Sequence, residues 1–560
     1  MMASPRSRAV SLTLAAWYRR LSMRLPARTR RAVTQGLFAL SISSGCGPEP
    51  GDAQRSAPSI ELTDCGGAAI EAKCGVLHVE ENRDAPNGRT IALSILVAPA
   101  TSRTPASDPV FLLAGGPGQG AAALAGMVLH PLAPVRRDRD MVFVDVRGTG
   151  ESGPLACDVE RPDDLEELLG GVFEISRLDA CLASYAEDQV DLTQYTTTRM
   201  VDDLDEVRAA LGYGPINLLA ISYGTVVAQD YMRRYPEQVR SAVLDGAVPV
   251  SERVLLGMPA NTERALKLVF AECREQPECA SAYPGLERKL EMVLTDLEQN
   301  RVLERVQHPR TGEQLRVDIT RAGFTQVLGG ALYSGTMTAL VPLLIERAHV
   351  GDYGPLAAVG LRMAKMSKSV SMGLYLSVSC AEQLASVNEA SRREVTAGLE
   401  HFSDHALAQL EQACARWPHA TVDAEFRQAV ESSVPTLLLS GRFDPVTPPS
   451  LAEQLAGQLG NARHVEVASI SHGVWHNGCA PALIASFFAT PDPAAVDAGC
   501  LTELARPRPF LGPNGPWRAS ESAAVDPDQL DQLDQLDQPE HPTHPDRADG
   551  VLAQGQPLRE

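Results

Sequence analysis

Basic residues are in short supply. Fifty lysines and arginines face 70 aspartates and glutamates, so the 560-residue chain carries a formal net charge of −20. Nucleic-acid binding, which needs a basic footprint, is excluded on that ground. The acidic surface serves solubility and names no partner. Aromatic residues are sparse at 5%, yet a hydrophobic content of 44% is ample for a large core. Among eleven cysteines no C-x-x-C occurs, so the tight spacing that zinc usually wants is missing. His472 and His476 stand four apart without the glutamate of H-E-x-x-H, which leaves that metal signature incomplete. Neither a metal nor a cofactor is expected.

The N-terminal region says where the protein works. Arg24, Arg28, Arg30 and Arg31 precede "AVTQGLFALSIS", which leads into "SGCG" around Cys46. A basic region, a short apolar stretch and small residues read as a secretory signal. The apolar run is too short to span a membrane. Ser44-Gly45-Cys46 resembles a bacterial lipobox, although Ser43 stands where such signals usually carry leucine. Residues 1–46 are therefore expected to be an export segment, with Met23 as an alternative start and plain cleavage nearby as the alternative to lipidation. The expected location is the bacterial periplasm or cell envelope, lipid-anchored at Cys46, or outside the cell. Membrane contact would come only through that lipid. The other ten cysteines form an even set, which in an exported chain reads as disulfides of formally open connectivity. Pairing sequence neighbours keeps each short loop within one local segment. That gives Cys65–Cys74, Cys157–Cys181, Cys273–Cys279, Cys380–Cys414 and Cys479–Cys500.

Along the chain, "CGVLHVEENRDAPNGRTIALSILVAP" alternates like two strands about a Pro-Asn-Gly turn. "PVFLLAGGPG" and "DMVFVDVRGTGES" are apolar runs that end in glycine-rich loops. A helix-like "MVDDLDEVRAALG", the apolar "INLLAIS", a further helix and "VRSAVLDGAVP" follow. Continuous apolar strands alternating with helices predict a mostly parallel sheet covered on both faces. From 251 to 433 the pattern turns to long helical stretches, and strands return with "VPTLLLSGRFDP" and "ARHVEVASISHG". The expected organisation is an α/β core at 60–250 and 434–503, a helical lid inserted at 251–433, and a disordered low-complexity tail at 504–560. The tail repeat "DQLDQLDQLDQ" has too little to bury.

Ser222 carries the chemistry. "LLAISYG" reads as a strand, a sharp turn and a helix start, with Ser222 on the turn. It fits the nucleophile elbow G-x-S-x-G except that Ala220 takes the first small position. A serine nucleophile needs a base for its proton and a carboxylate to hold that base. In serine, acid, histidine order, Asp444 of "SGRFDPVTPP" and His472 of "SISHG" follow strands and face the same sheet edge. Asp245 and His476 remain the rival acid and base. The oxyanion would be met by the backbone N–H of Tyr223 and by one from "LLAGGPGQG", assigned to Gly116.

Taken in order, "AGGPGQG", "DVRGTGES", "AISYGT", "SGRFDPVTP" and "SHG" resemble the proline iminopeptidase and tripeptidyl aminopeptidase family of α/β-hydrolases. The resemblance spans roughly Leu62 to Leu501, with a C-terminal part like that of the tripeptidyl group. It implies a serine exopeptidase that removes residues from peptide N-termini through Ser222, Asp444 and His472. The chain departs from the family at Ala114, where histidine is usual, and at Ala220, where glycine is usual. Neither change removes a catalytic atom. Binding a free α-ammonium in a partly dry pocket calls for a carboxylate, and Glu382 in "SVSCAEQ" is the candidate. A carboxylesterase or lipase acting on small esters would use the same triad. A non-catalytic binding protein on this fold is the alternative of a different class.

Overall fold

The computed structural model describes residues 59–65, 71–157, 165–170, 175–367, 369–385 and 387–516. Cys46 with the export segment, and residues 517–560 of the tail, lie outside them. Among the described residues there are eleven strands: β1 (Thr63–Asp64), β2 (Lys73–Glu80), β3 (Thr90–Ala98), β4 (Val110–Leu113), β5 (Met141–Val144), β6 (Ile216–Ile221), β7 (Val239–Asp245), β8 (Val302–Gln307), β9 (Gln314–Ile319), β10 (Thr436–Gly441) and β11 (Ala462–Val467). Nine of them form one sheet, in the order β1-β2-β3-β5-β4-β6-β7-β10-β11. The β2–β3 hairpin is antiparallel and joins β5 antiparallel, whereas every pair from β5 to β11 is parallel.

The inner parallel strands β4, β5, β6 and β10 are apolar at most positions because both sheet faces are covered, whereas the edge strand β11 carries Arg463, His464 and Glu466. Successive side chains leave opposite faces of a strand, and the core divides accordingly. Val142, Val144, Leu218, Ala220 and Leu438 share one cluster with Val201, Leu204 and Val207 of the helix Thr197–Ala210 and with Tyr231 of the helix Gly224–Arg234. Met141, Phe143, Leu219, Leu437 and Leu439 share the other with Ala121, Ala125 and Val128, and with Ile484, Phe487 and Phe488 of the helix Ala480–Ala489. Among the described residues no helix is long and apolar enough to cross a membrane.

Between β7 and β10 the chain leaves the sheet and builds a second apolar cluster from helices that include Val254–Glu275, Leu286–Gln299, Arg321–Ala331 and Val341–His349. Three features of this region differ from the sequence reading. The hairpin β8–β9 interrupts the helices. The helix Leu165–Gly170, expected within the core, puts Leu165 and Leu169 into the insertion's cluster. Residues 504–516, expected to begin a disordered tail, pack on the body. Phe510 N donates to Ala339 O at 2.9 Å, and Tyr283 Oη donates to Phe510 O at 2.6 Å. Arg506 lies 3.5 Å from the Phe443 ring centroid and pairs with Glu272 at 2.8 Å.

Disulfides join Cys65–Cys74, Cys157–Cys181, Cys273–Cys279, Cys380–Cys414 and Cys479–Cys500, the neighbour pairing expected from the sequence. Each closes a short local loop, and Cys380–Cys414 ties together two segments of the insertion.

Candidate active site

Strand β6 leads into Ser222, whose φ of 56° lies in the left-handed region. For a residue with a Cβ that conformation costs of order 1–3 kcal/mol and persists only where the surroundings over-determine it. Here Ser222 N donates to Asp245 O at 2.8 Å, and Ser222 O accepts from Thr225 N at 2.8 Å and Thr225 Oγ1 at 2.7 Å. The turn leads straight into the helix Gly224–Arg234. A Cβ on Gly224 would fall 2.3 Å from Leu113 O, so the second small position of the elbow is strict. Ala220, at the first, is fully buried and fits.

Asp444 lies three residues past β10 and is completely buried. Its Oδ1 accepts from Val446 N at 2.9 Å and Thr447 N at 2.8 Å. Its Oδ2 accepts from Thr447 Oγ1 at 2.7 Å and meets His472 Nδ1 at 2.7 Å. Burial opposes the charge on Asp444, but the His472 ring beside it and the hydrogen bonds from His472 and Thr447 hold its pKa below the ordinary carboxylate value. For His472 the balance is the mirror image. Loss of hydration disfavours the imidazolium, and the Asp444 charge outweighs it and raises the pKa.

The rivals fare differently. His476 is exposed, its ring 4.7 Å from that of Trp475. Asp245 is buried at the end of β7, where its carboxylate accepts from Trp475 N at 2.6 Å. Of the two histidines, His472 is the one hydrogen-bonded to a carboxylate.

The two segments expected from the sequence to face an oxyanion lie beside Ser222. Tyr223 opens the helix after the elbow, where backbone N–H groups have no intrahelical acceptor. In the glycine-rich loop, a Cβ on Gly115 would lie 3.2 Å from Ser222 Cβ, so Gly115 and its neighbour Gly116 run directly alongside the serine. Further along, Gly118 O accepts from Ser371 N of the insertion at 2.8 Å. Beyond it, Asp145 accepts from Ala122 N at 2.8 Å and Glu151 N at 3.1 Å, which pins the two glycine-rich loops together.

Glu382 differs from its sequence-based expectation. Its side chain is 1% exposed, with Oε1 accepting from Thr197 N at 2.7 Å and Oε2 from Thr197 Oγ1 at 2.6 Å. Thr197 Oγ1 in turn lies 2.6 Å from Tyr223 Oη. The carboxylate therefore faces Thr197 rather than open space for an ammonium, and it reaches Tyr223, the neighbour of Ser222, through one threonine. Burial pushes its pKa up to about 7 despite the two hydrogen bonds.

Several residues escaped the sequence reading. Thr447 had a signal, because a hydroxyl three residues after an Asp-Pro turn is placed to hydrogen-bond that aspartate. Thr197, 185 residues from Glu382, had none. Nor did Tyr333, whose carbonyl accepts from His472 N at 3.1 Å and whose ring meets the imidazole edge-on at 5.3 Å.

One acidic cluster has metal-ligand proximity: Glu263, Glu400 and His401 bring ligand atoms within 4.8 Å of one another. The Lys267 ammonium already sits there, 2.8 Å from Glu400 and 3.6 Å from Glu263, and supplies the positive charge.

Residues 108–283 match the alpha/beta hydrolase fold family, and residues 400–500 match the family described as TAP-like protein. The TAP-like match begins earlier than the 434 expected from sequence. Over 437 residues the chain is 26% identical to the serine protease Hip1 of Mycobacterium tuberculosis, covering 71% of this chain and 82% of that protein. It is 27% identical to the tripeptidyl aminopeptidase of Streptomyces lividans over 189 residues, 31% of this chain and 35% of that one. It is also 27% identical to the proline iminopeptidase of Neisseria gonorrhoeae over 203 residues, covering 36% and 48% respectively.

Proposed function

The chain belongs to the α/β-hydrolase fold family, among its serine peptidases, and we propose that it is an exported aminopeptidase that releases prolyl or short peptide units from peptide N-termini. The single observation that carries the mechanism is the buried Asp444 Oδ2–His472 Nδ1 contact of 2.7 Å, formed at the sheet edge that also bears Ser222 in its positive-φ turn.

In this reading Asp444 fixes Nδ1 as the protonated nitrogen, which leaves Nε2 of His472 to take the hydroxyl proton of Ser222. Ser222 Oγ attacks the carbonyl of the scissile amide. The oxyanion that forms is met by the N–H of Tyr223 and one from the Gly115–Gly116 turn. His472 then returns the proton to the leaving amine. Water activated by the same histidine hydrolyses the acyl-enzyme.

Export is supported by the five disulfides, since such bonds persist in oxidising compartments. A lipid at Cys46 is part of the same proposal. The insertion between β7 and β10, acting as a lid, supplies walls of the site and thereby the peptide specificity. The aminopeptidase reading is tested with a panel of free-amine prolyl, aminoacyl and tripeptidyl amides, their N-acetylated twins, and short-chain esters. Faster cleavage of the free-amine amides than of their acetylated twins is the result expected of an aminopeptidase. Equal rates for both, with fast cleavage of simple esters, would make this protein a carboxylesterase.

A further inference from the structure

The mechanism above gives no part to Asp245, a buried carboxylate between the elbow and the histidine loop. Asp245 ends β7 and is fully buried. Its backbone carbonyl accepts from Ser222 N at 2.8 Å, and its Oδ2 accepts from Trp475 N at 2.6 Å. Among the described residues Oδ1 has no hydrogen-bond partner. The residue thus grips the elbow with its backbone and the histidine loop with its side chain. The next residue shows how close the three loops lie: a Cβ on Gly246 would come 2.9 Å from Thr447 Oγ1 and 3.1 Å from His472 Cε1.

An asparagine would accept the same backbone N–H without burying a charge. A desolvated carboxylate with an orphaned oxygen is costly, and in a native structure it asks for a reason. The ionisable groups acting on Asp245 are His472, which favours its charge, and Asp444, which disfavours it. His472 is faced by Asp444, by Asp245 and by the Tyr333 ring from the insertion, while the Arg264 guanidinium donates to the backbone carbonyls of Arg442 and Asp444.

We propose that Asp245 is a positioning residue that holds the histidine loop against the elbow and supplies a second negative charge to His472 as the imidazole takes up the serine proton. Burial pushes the Asp245 carboxyl up to about 7, with His472 pulling the other way. Its charge is therefore coupled to that of the imidazolium. The inference rests on His472 being the base.

The test uses the rate at which a fluorophosphonate reagent labels Ser222 as a function of pH, which needs no knowledge of the peptide substrate. Asp245→Asn keeps an acceptor for Trp475 N and removes the charge. The labelling rate on the plateau should fall about tenfold, a part of the roughly 10²–10⁴-fold that general-base assistance contributes. Its acid limb should move down by about one pH unit, as when a nearby opposite charge is removed. The denaturation midpoint should stay level or rise, because an orphaned charge has gone. Asp245→Ser provides a second variant with the same expected limb shift if the asparagine does not fold. An unmoved acid limb in a folded variant overturns the inference and reduces Asp245 to a loop anchor. His472→Ala separates the two readings. If it labels as fast as the wild type, the triad itself fails; if it is inert while Asp245→Asn is unchanged, only the role of Asp245 fails.

Discussion

Glu382→Gln changes one charge and almost no shape, and its effect should depend on pH in a way that can be worked out. The folded carboxyl has its pKa raised from 4.5 to about 7, first by burial. At about 1.4 kcal/mol per unit, that rise is worth about 3 kcal/mol. Because the folded pKa is the higher one, the folded chain binds more protons than the unfolded chain between these values. The contribution is fully present below pH 4.5 and is lost as pH rises through 7. Wild-type protein should therefore lose about 3 kcal/mol from this group between pH 4.5 and 8, and the glutamine variant should not. The glutamine can be accommodated, because the chain Glu382–Thr197–Tyr223 can reverse direction. An amide nitrogen donates to Thr197 Oγ1, which then donates to Tyr223 Oη, whose hydroxyl stays protonated since burial and the neighbouring Glu382 raise its pKa well above the ordinary value.

Thr197→Val is the contrasting perturbation. It removes the hydroxyl between the two and leaves both Glu382 Oε2 and Tyr223 Oη without that partner. The cost is about 1–3 kcal/mol at every pH, and labelling of Ser222 should slow if the relay steadies the Tyr223 backbone. Urea unfolding at fixed pH from 5 to 8.5, run on all three proteins, reads both effects. A Glu382→Gln curve that stays parallel to the wild type across that range would refute the reasoning, since it would mean that Glu382 does not change its charge there.

Ser222→Ala should abolish turnover of any substrate, about a 10⁶-fold loss of kcat by analogy with nucleophile removal in other triads, with labelling by serine reagents lost and the unfolding curve kept. The acid limb of kcat/KM should lie above the ordinary histidine value of 6.5, because the Asp444 charge raises the pKa of His472 against the effect of burial. Asp444→Asn should move that limb down and lower kcat about 10⁴-fold; an unmoved limb would mean that the 2.7 Å contact does not operate in solution. Replacing Cys380 and Cys414 together by alanine should cost about 3–4 kcal/mol of stability, given the loop of 34 residues that their bond closes. Its readout is the urea midpoint under non-reducing conditions.

What the sequence could carry was what lies close together in it or repeats with a simple period. Strands β4, β5 and β10 announced themselves as apolar runs, and β6 and β7 as runs broken by few polar residues, because a doubly covered sheet leaves them no polar side. Asp444 and His472 were legible through their positions just past strands, in an order that the elbow at Ser222 made meaningful. The cysteines paired as neighbours because each loop was short enough to close locally. What failed was long-range or of mixed pattern. In "VLERVQHPRTGEQLRVDI" charged and apolar residues alternate on a half-covered hairpin, and long helices on its N-terminal side drew the whole insertion into a helical reading. Glu382 was expected to meet the substrate because nothing in the chain reveals that Thr197 waits beneath it. Residues 504–516 were joined to the polar tail by composition, although Arg506, Phe510 and Leu504 each have a place on the folded body.

The insertion is better understood as part of the catalytic assembly than as a cover laid over it. From the helix Val254–Glu275, Asn261 Nδ2 donates to Val446 O at 3.1 Å, Thr262 Oγ1 to Pro445 O at 3.2 Å, and Arg264 to Arg442 O at 2.9 Å and Asp444 O at 2.6 Å. These four bonds run to the backbone of the loop that carries the acid. Tyr333 O takes His472 N, and Ser371 N reaches the glycine-rich loop at Gly118. Elements on all three loops are thus held from the same side. Each such bond contributes about 1 kcal/mol net, so swinging the insertion away as a rigid body would forfeit about 6 kcal/mol before any apolar surface is exposed. Such an open state would be populated about once in 10⁴ molecules, and it would also release the backbone that aims Asp444 and His472. Substrate entry is then expected through smaller local movements, and selection of the substrate and alignment of the triad are tied to the same contacts.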